Sequence, residues 1–267
     1  MDMFPDAKRI TKVNKNPTKL VIIKAVKTGG TRLVGDLEGN HIIYFDGKSD
    51  FYETKANVFN VIQNWEDYNN KNNKNVPLDV YAIKYITDLN KHCIANGPIA
   101  DYLTIDTVTK FEEIAKTLAL MDYKKTAMGK SFSESDITLL PMGAGYGRLR
   151  LAFKRLYDLL EPCYSKCLIF IAHPKASSIT VDGKELQAQD IALIGKQKLL
   201  IAADCDAIGN MYRVKGRNVN ILSFKSSQQD LVAGARPEHL QNAEIEISEI
   251  LDDGTFVSHW DKIFIKD

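Results

Sequence analysis

The chain has 267 residues, 45% of them hydrophobic and 26% charged. That suits one compact domain, or a domain with a small appendage. With 35 Lys and Arg against 34 Asp and Glu, the formal net charge is +1, so any nucleic-acid surface must be a local patch. No run of about 18 apolar residues occurs, which excludes a membrane-spanning helix. The opening MDMFPDAKRITKVNKNP lacks the apolar core of a secretory signal, so the expected setting is intracellular.

In chain order, residues 1–18 are polar and basic and read as an N-terminal arm. Residues 19–24, KLVIIK, form a β-branched run suited to a buried strand. A Gly-containing turn (26–31) leads into a short helix over RLVGDLEG. Residues 41–45, HIIYF, are a second strand, and 58–65 read as helical. The Asn-rich run 69–75 reads as a solvated turn. Apolar residues at Val80, Ile83, Ile86, Leu89 and Cys93 trace a helical stripe. A third strand over 102–105 precedes a helix over 109–121.

Residues 124–140 are polar and irregular, and Gly143-Ala144-Gly145-Tyr146-Gly147 reads as a flexible approach to an amphipathic helix over 148–160. A fourth strand, CLIFIA (167–172), ends at His173, and the polar stretch 174–190 reads as a loop. Residues 198–204 and 218–224 read as strands joined through a polar link at 211–217. Runs at 243–250 and 256–265 flank Asp252-Asp253-Gly254, a hairpin turn. Cys93, Cys163, Cys167 and Cys205 include a CxxxC pair, but no second pair or nearby His completes a zinc set. They read as reduced thiols.

Short apolar runs alternating with amphipathic helices predict an α/β fold with a largely parallel central sheet and antiparallel final strands. Chemistry in such sheets sits at the carboxyl ends of strands. Those ends carry Asp46, Asp106 and His173.

The order strand, Gly turn, helix, strand-Asp, strand-Asp-Thr, strand-His resembles the RecA-like P-loop ATPases. Within them it is similar to the small phage-encoded recombination ATPases of the single-strand-annealing (Sak) group. The segments that carry the likeness are YLTIDTVTKFEE (102–113), MGAGYGRLRLAF (142–153), CLIFIAHPK (167–175) and DAIGNMYR, VNILSF and AGARPEHL within 206–240. The resemblance implies a RecA-like P-loop NTPase domain over 19–245, with 246–267 as a C-terminal β-hairpin extension of it.

A working P-loop reads GxxxxGK(S/T): backbone amides cradle phosphate, the Lys neutralises it, and the hydroxyl holds Mg²⁺. The segment in register is Lys24-Ala25-Val26-Lys27-Thr28-Gly29-Gly30-Thr31. Gly29 and Thr31 match, Lys24 stands at the first Gly, and Gly30 stands at the Lys. Lys27 or Lys24 either reaches phosphate from the loop or is simply solvated. The family's water-orienting Asp-x-Glu becomes Asp46-Gly47-Lys48, a charge reversal, with Asp50 and Glu53 out of register.

Asp106-Thr107 retains the Walker B pattern, either for Mg²⁺ or as a helix cap. Thr31 and Asp106 are the metal ligands if Mg²⁺ binds. His173 stands either at the γ-phosphate sensor position or as a strand-end His bonded to backbone. The resemblance places the loop after strand four against DNA. Lys175, Lys184, Lys196 and Lys198 surround that loop, diluted by Asp182, Glu185 and Asp190. Arg148 and Arg150 are candidate phosphate contacts or solvated helix residues, and Arg236 resembles the family's tail arginine, which acts on a neighbouring subunit's nucleotide or, where none binds, serves as an interface residue.

Two catalytic losses predict a pseudo-ATPase, with vestigial nucleotide-site residues Lys27, Thr28, Gly29, Gly30, Thr31, Asp106, Thr107 and His173. The expected protein self-assembles into a ring or filament and binds single-stranded DNA or other phage proteins, with ATP and Mg²⁺ weak ligands at most. Its expected location is the host cytoplasm or the phage particle. The alternatives are a structural component of that particle, or an active ATPase with a deviant loop.

Overall fold

The computed structural model describes residues 14–45, 47, 53–181, 184–226 and 233–266; along 177–181 and 184–189 it describes the backbone. The strands are β1 (Lys19–Lys24), β2 (Asn40–Tyr44), β3 (Asn57–Asn60), β4 (Ala100–Asp106), β5 (Tyr164–Ala172) and β6 (Pro174–Val181). They continue as β7 (Lys184–Ile191), β8 (Ala207–Arg213), β9 (Val219–Ser223), β10 (Gly234–Ala235), β11 (Glu244–Ile250) and β12 (Phe256–Ser258). The helices are α1 (Gly30–Gly35), α2 (Val61–Asn72), α3 (Leu78–Asn96), α4 (Val108–Lys124), α5 (Ala144–Asp158) and α6 (Gln197–Asp204).

Ten strands form one sheet in the order β12-β11-β9-β8-β1-β5-β4-β2-β3, with β10 added to β8, while β6 and β7 pair apart from it. From β8 to β3 every neighbouring pair is parallel; β9, β11 and β12 continue antiparallel. The strands at the centre, β1 and β5, bury both faces, which is why they read as unbroken apolar runs. Val21, Ile23, Ile105 and Phe170 face one core with Phe111 of α4 and Phe153 of α5. Leu20, Ile22 and Ile169 face the other, with Leu33 and Val34 of α1 and Trp260. Each fully buried Phe or Leu contributes roughly 1.5–3 kcal/mol of hydrophobic stabilisation. Since β5 lies between β1 and β4, the carboxyl ends of β1 and β4 flank that of β5. No helix among the described residues is long and apolar enough to cross a membrane.

Several elements differ from the sequence reading. Residues 57–60 extend the sheet as β3 before α2 begins, with the Asn60 side chain capping Gln63 N at 3.2 Å. The helix then runs into the Asn-rich segment, where Asn69 exchanges side-chain hydrogen bonds with the backbone of Val76. Gly143 to Gly147 is no flexible approach, because α5 already starts at Ala144.

The stretch 174–190 is a hairpin, β6–β7, invisible to hydropathy because its ladder is local and polar. Residues 198–204 form α6, burying Ile201 while Leu199 stays 54% exposed. No strand is available to them there, because the polar-looking segment Ala207–Arg213 takes the free edge of β1. The last strand stops at Ser258, and a 3₁₀ turn swings Trp260 inward so that its Nε1 donates to the Leu33 carbonyl at 3.0 Å.

Candidate nucleotide site

β1 delivers Lys24 to the carboxyl edge of the sheet, and residues 25–29 loop back into α1. Lys27 (φ 64°) and Gly29 (φ 85°) take left-handed conformations that reverse the chain. The Thr28 hydroxyl ties the loop by donating to the Ala25 carbonyl at 2.8 Å, and Leu33 N donates to the Gly29 carbonyl at 3.0 Å. Ala25, Val26 and Lys27 are exposed, Gly30 is buried, and Thr31 is half-buried.

Thr31 Oγ1 donates to Asp106 Oδ2 at 2.8 Å. Asp106 is 1% exposed and Thr107 3%; Thr107 Oγ1 caps α4 by accepting from Lys110 N. His173, just beyond β5, brings Nδ1 to 3.3 Å from the Lys24 carbonyl, so the third strand end also reaches the loop.

The Lys24 side chain lies across Gly30. A Cβ on Gly30 would overlap Lys24 Cδ and stand 2.5 Å from its Cε. Lys24 itself is 7% exposed. On the other flank, the amide nitrogen of Asn220 lies 3.9 Å from where a Gly29 Cβ would be. Asn220 is held by donating to Ser248 Oγ at 2.9 Å and accepting from Arg213 Nε at 3.5 Å. Asn220 is absent from the motif reading, since nothing in the local sequence of β9 signals that it approaches this loop.

Thr31 and Asp106 offer hard oxygen donors, which suit Mg²⁺. No group of three or more His, Cys, Asp or Glu side chains able to hold a metal occurs among the described residues. Mg²⁺ is commonly held by one or two carboxylates together with phosphate and water. Asp46, Lys48 and Asp50, at the water-orienting position, lie outside the described residues; Glu53 is exposed.

The other candidates lie elsewhere. Lys175 is exposed at the root of the β6–β7 hairpin, and the Lys184 side chain lies outside what is described, as do those of Asp182 and Glu185. Lys196 is exposed, whereas Lys198 is committed to an ion pair with buried Asp190. Arg148 packs its guanidinium 4.4 Å from the Tyr123 ring centroid, and Arg150 is exposed. Arg236 pairs with Asp206 Oδ1 at 3.2 Å and donates to the Ala203 carbonyl at 2.8 Å. Asp206 N in turn bonds the Lys19 carbonyl, so Arg236 sits at the amino end of β1, opposite the loop.

Among solved structures the chain is similar to one described as "Crystal structure of the RadB recombinase", with 11% identity over 90% of each chain and a TM-score of 0.42. No curated protein matches it. A family model described as an AAA domain matches residues 16–236, well over half the chain. The protein therefore belongs to the AAA domain family.

Proposed function

We propose that the protein binds a Mg²⁺–nucleoside triphosphate in this loop and works in DNA recombination by binding and assembly, with turnover slow or absent. The observation that carries the reading is the Thr31–Asp106 hydrogen bond, which holds the loop hydroxyl against the Walker B carboxylate. In that arrangement Thr31 and Asp106 would hold Mg²⁺, which would offset phosphate charge. Slow turnover follows from Lys48, a cation where a carboxylate would orient the attacking water. Phosphoryl transfer depends on positioning and charge, and losing one such group commonly costs about 10²–10³ in rate.

Single-stranded DNA is the polymer we assign. The β6–β7 hairpin leaves the sheet at the carboxyl end of β5, beside His173, with Lys175 exposed at its base. That position couples an arm suited to DNA with the strand end nearest the loop. Self-assembly into a ring or filament, in a phage setting, completes the reading.

Calorimetry with ATP and Mg²⁺ on the full chain tests the first part; no heat of binding at millimolar ATP would refute it. Fluorescence anisotropy with a labelled single strand tests the second, with affinity falling as salt rises. Sedimentation with and without ATP reads the assembly.

A further inference from the structure

We propose that Lys24 is the phosphate-binding lysine of this loop, the lysine and glycine at its two ends having changed places. The proposal rests on the nucleotide reading above. Against GxxxxGK(S/T), the segment KAVKTGGT has Lys where the first Gly belongs and Gly where the Lys belongs. Taken singly, each is a defect; taken together, they are complementary in space. The stem of Lys24 runs through the volume in which a side chain at position 30 would begin, with Cε 2.5 Å from that Cβ position. Its ammonium lies one bond beyond that Cε. Only glycine at position 30 leaves room for this path.

Three further observations point the same way. The stem of Lys24 is buried, the residue being 7% exposed, while its ammonium is not among the buried side-chain nitrogens left without a partner and stays open to an incoming anion. A phosphate against the loop would give that ammonium a charge-assisted partner. Lys27, the other lysine of the loop, is exposed. The Thr31–Asp106 pair follows directly after Gly30, so the cation of Lys24 and the Mg²⁺ donors border one space.

The test compares Mg²⁺–ATP and adenosine binding by calorimetry for the full chain, Lys24→Met and the exchanged pair Lys24→Gly/Gly30→Lys, with thermal melts beside each. Methionine keeps the length and apolar stem and removes only the charge. ATP affinity should fall about 10- to 100-fold in Lys24→Met, the scale of one charge-assisted hydrogen bond. Adenosine binding and the melt should not change. The exchanged pair should recover ATP affinity, while Gly30→Lys alone, colliding with Lys24, should not exceed the parent.

If the parent binds ATP and Lys24→Met binds it equally, the lysine assignment falls and the nucleotide site stands. If the parent binds no ATP, the nucleotide reading falls and this proposal with it. Should Lys24→Met lose its cooperative melt, the exchanged pair decides: a folded protein that no longer binds ATP overturns the exchange.

Discussion

Thr31 and Asp106, 75 residues apart in sequence, meet in a 2.8 Å hydrogen bond from hydroxyl to carboxylate. The sheet order makes the meeting: β1 and β4 flank β5, so the start of α1 lies over the end of β4. An Asp106→Asn variant keeps an acceptor for Thr31 and removes the charge. It should weaken ATP binding about 10- to 100-fold in Mg²⁺ and change it little in EDTA. Equal losses in both conditions would mean that Asp106 serves only to cap and pack.

Two glycines of one helix should respond in opposite ways to alanine. A Cβ on Gly145 would overlap the Ile137 carbonyl oxygen and stand 2.7 Å from its carbon, whereas one on Gly147 meets nothing within 4 Å. Backbone cannot swing aside as a side chain can. Gly145→Ala should therefore cost about 1–3 kcal/mol, and Gly147→Ala should add about 0.4–1 kcal/mol. Urea denaturation of both variants measures the contrast, and equal shifts would contradict the packing described for α5.

The thiols should be inert until the chain unfolds. All four cysteines are free and buried. Burial pushes the Cys163 and Cys205 thiols up to about 12, and Cys167 also stands well above its ordinary value. A raised pKa keeps a thiol protonated, and only the thiolate attacks. At pH 8 a disulfide reagent should label these three no faster than the protein unfolds. Rapid labelling in native buffer would show that the strand ends around β5 open readily.

Acid should weaken the amino edge of the sheet through Asp206. Burial raises its carboxyl pKa, but the Thr18 hydroxyl at 2.6 Å, the Thr18 amide at 2.9 Å and Arg236 outweigh it, and the pKa is depressed. A carboxylate depressed in the folded state contributes fully above its unfolded pKa, about 3.9, and loses that contribution as pH falls through the folded value. The stability difference between the parent and Asp206→Asn should thus be widest near neutrality and shrink below pH about 4. A difference that stays flat down to pH 3 would rule this out.

What the sequence determined by itself was the central parallel strands and the motif positions they carry. KLVIIK, HIIYF and CLIFIA are legible because burial on both faces demands unbroken apolar runs, and Thr31, Asp106 and His173 follow from the loop pattern and strand ends. Tertiary structure decided the rest. Residues 198–204 became a helix and 207–213 a strand because only one segment could take the free edge of β1. Asn220 reached Gly29 because β9 follows β8 across the sheet. In the loop itself, the letters record a glycine gained and a lysine misplaced. Only the folded path of the Lys24 side chain across Gly30 makes them one arrangement, since a flexible four-carbon stem has no direction until its neighbours are in place.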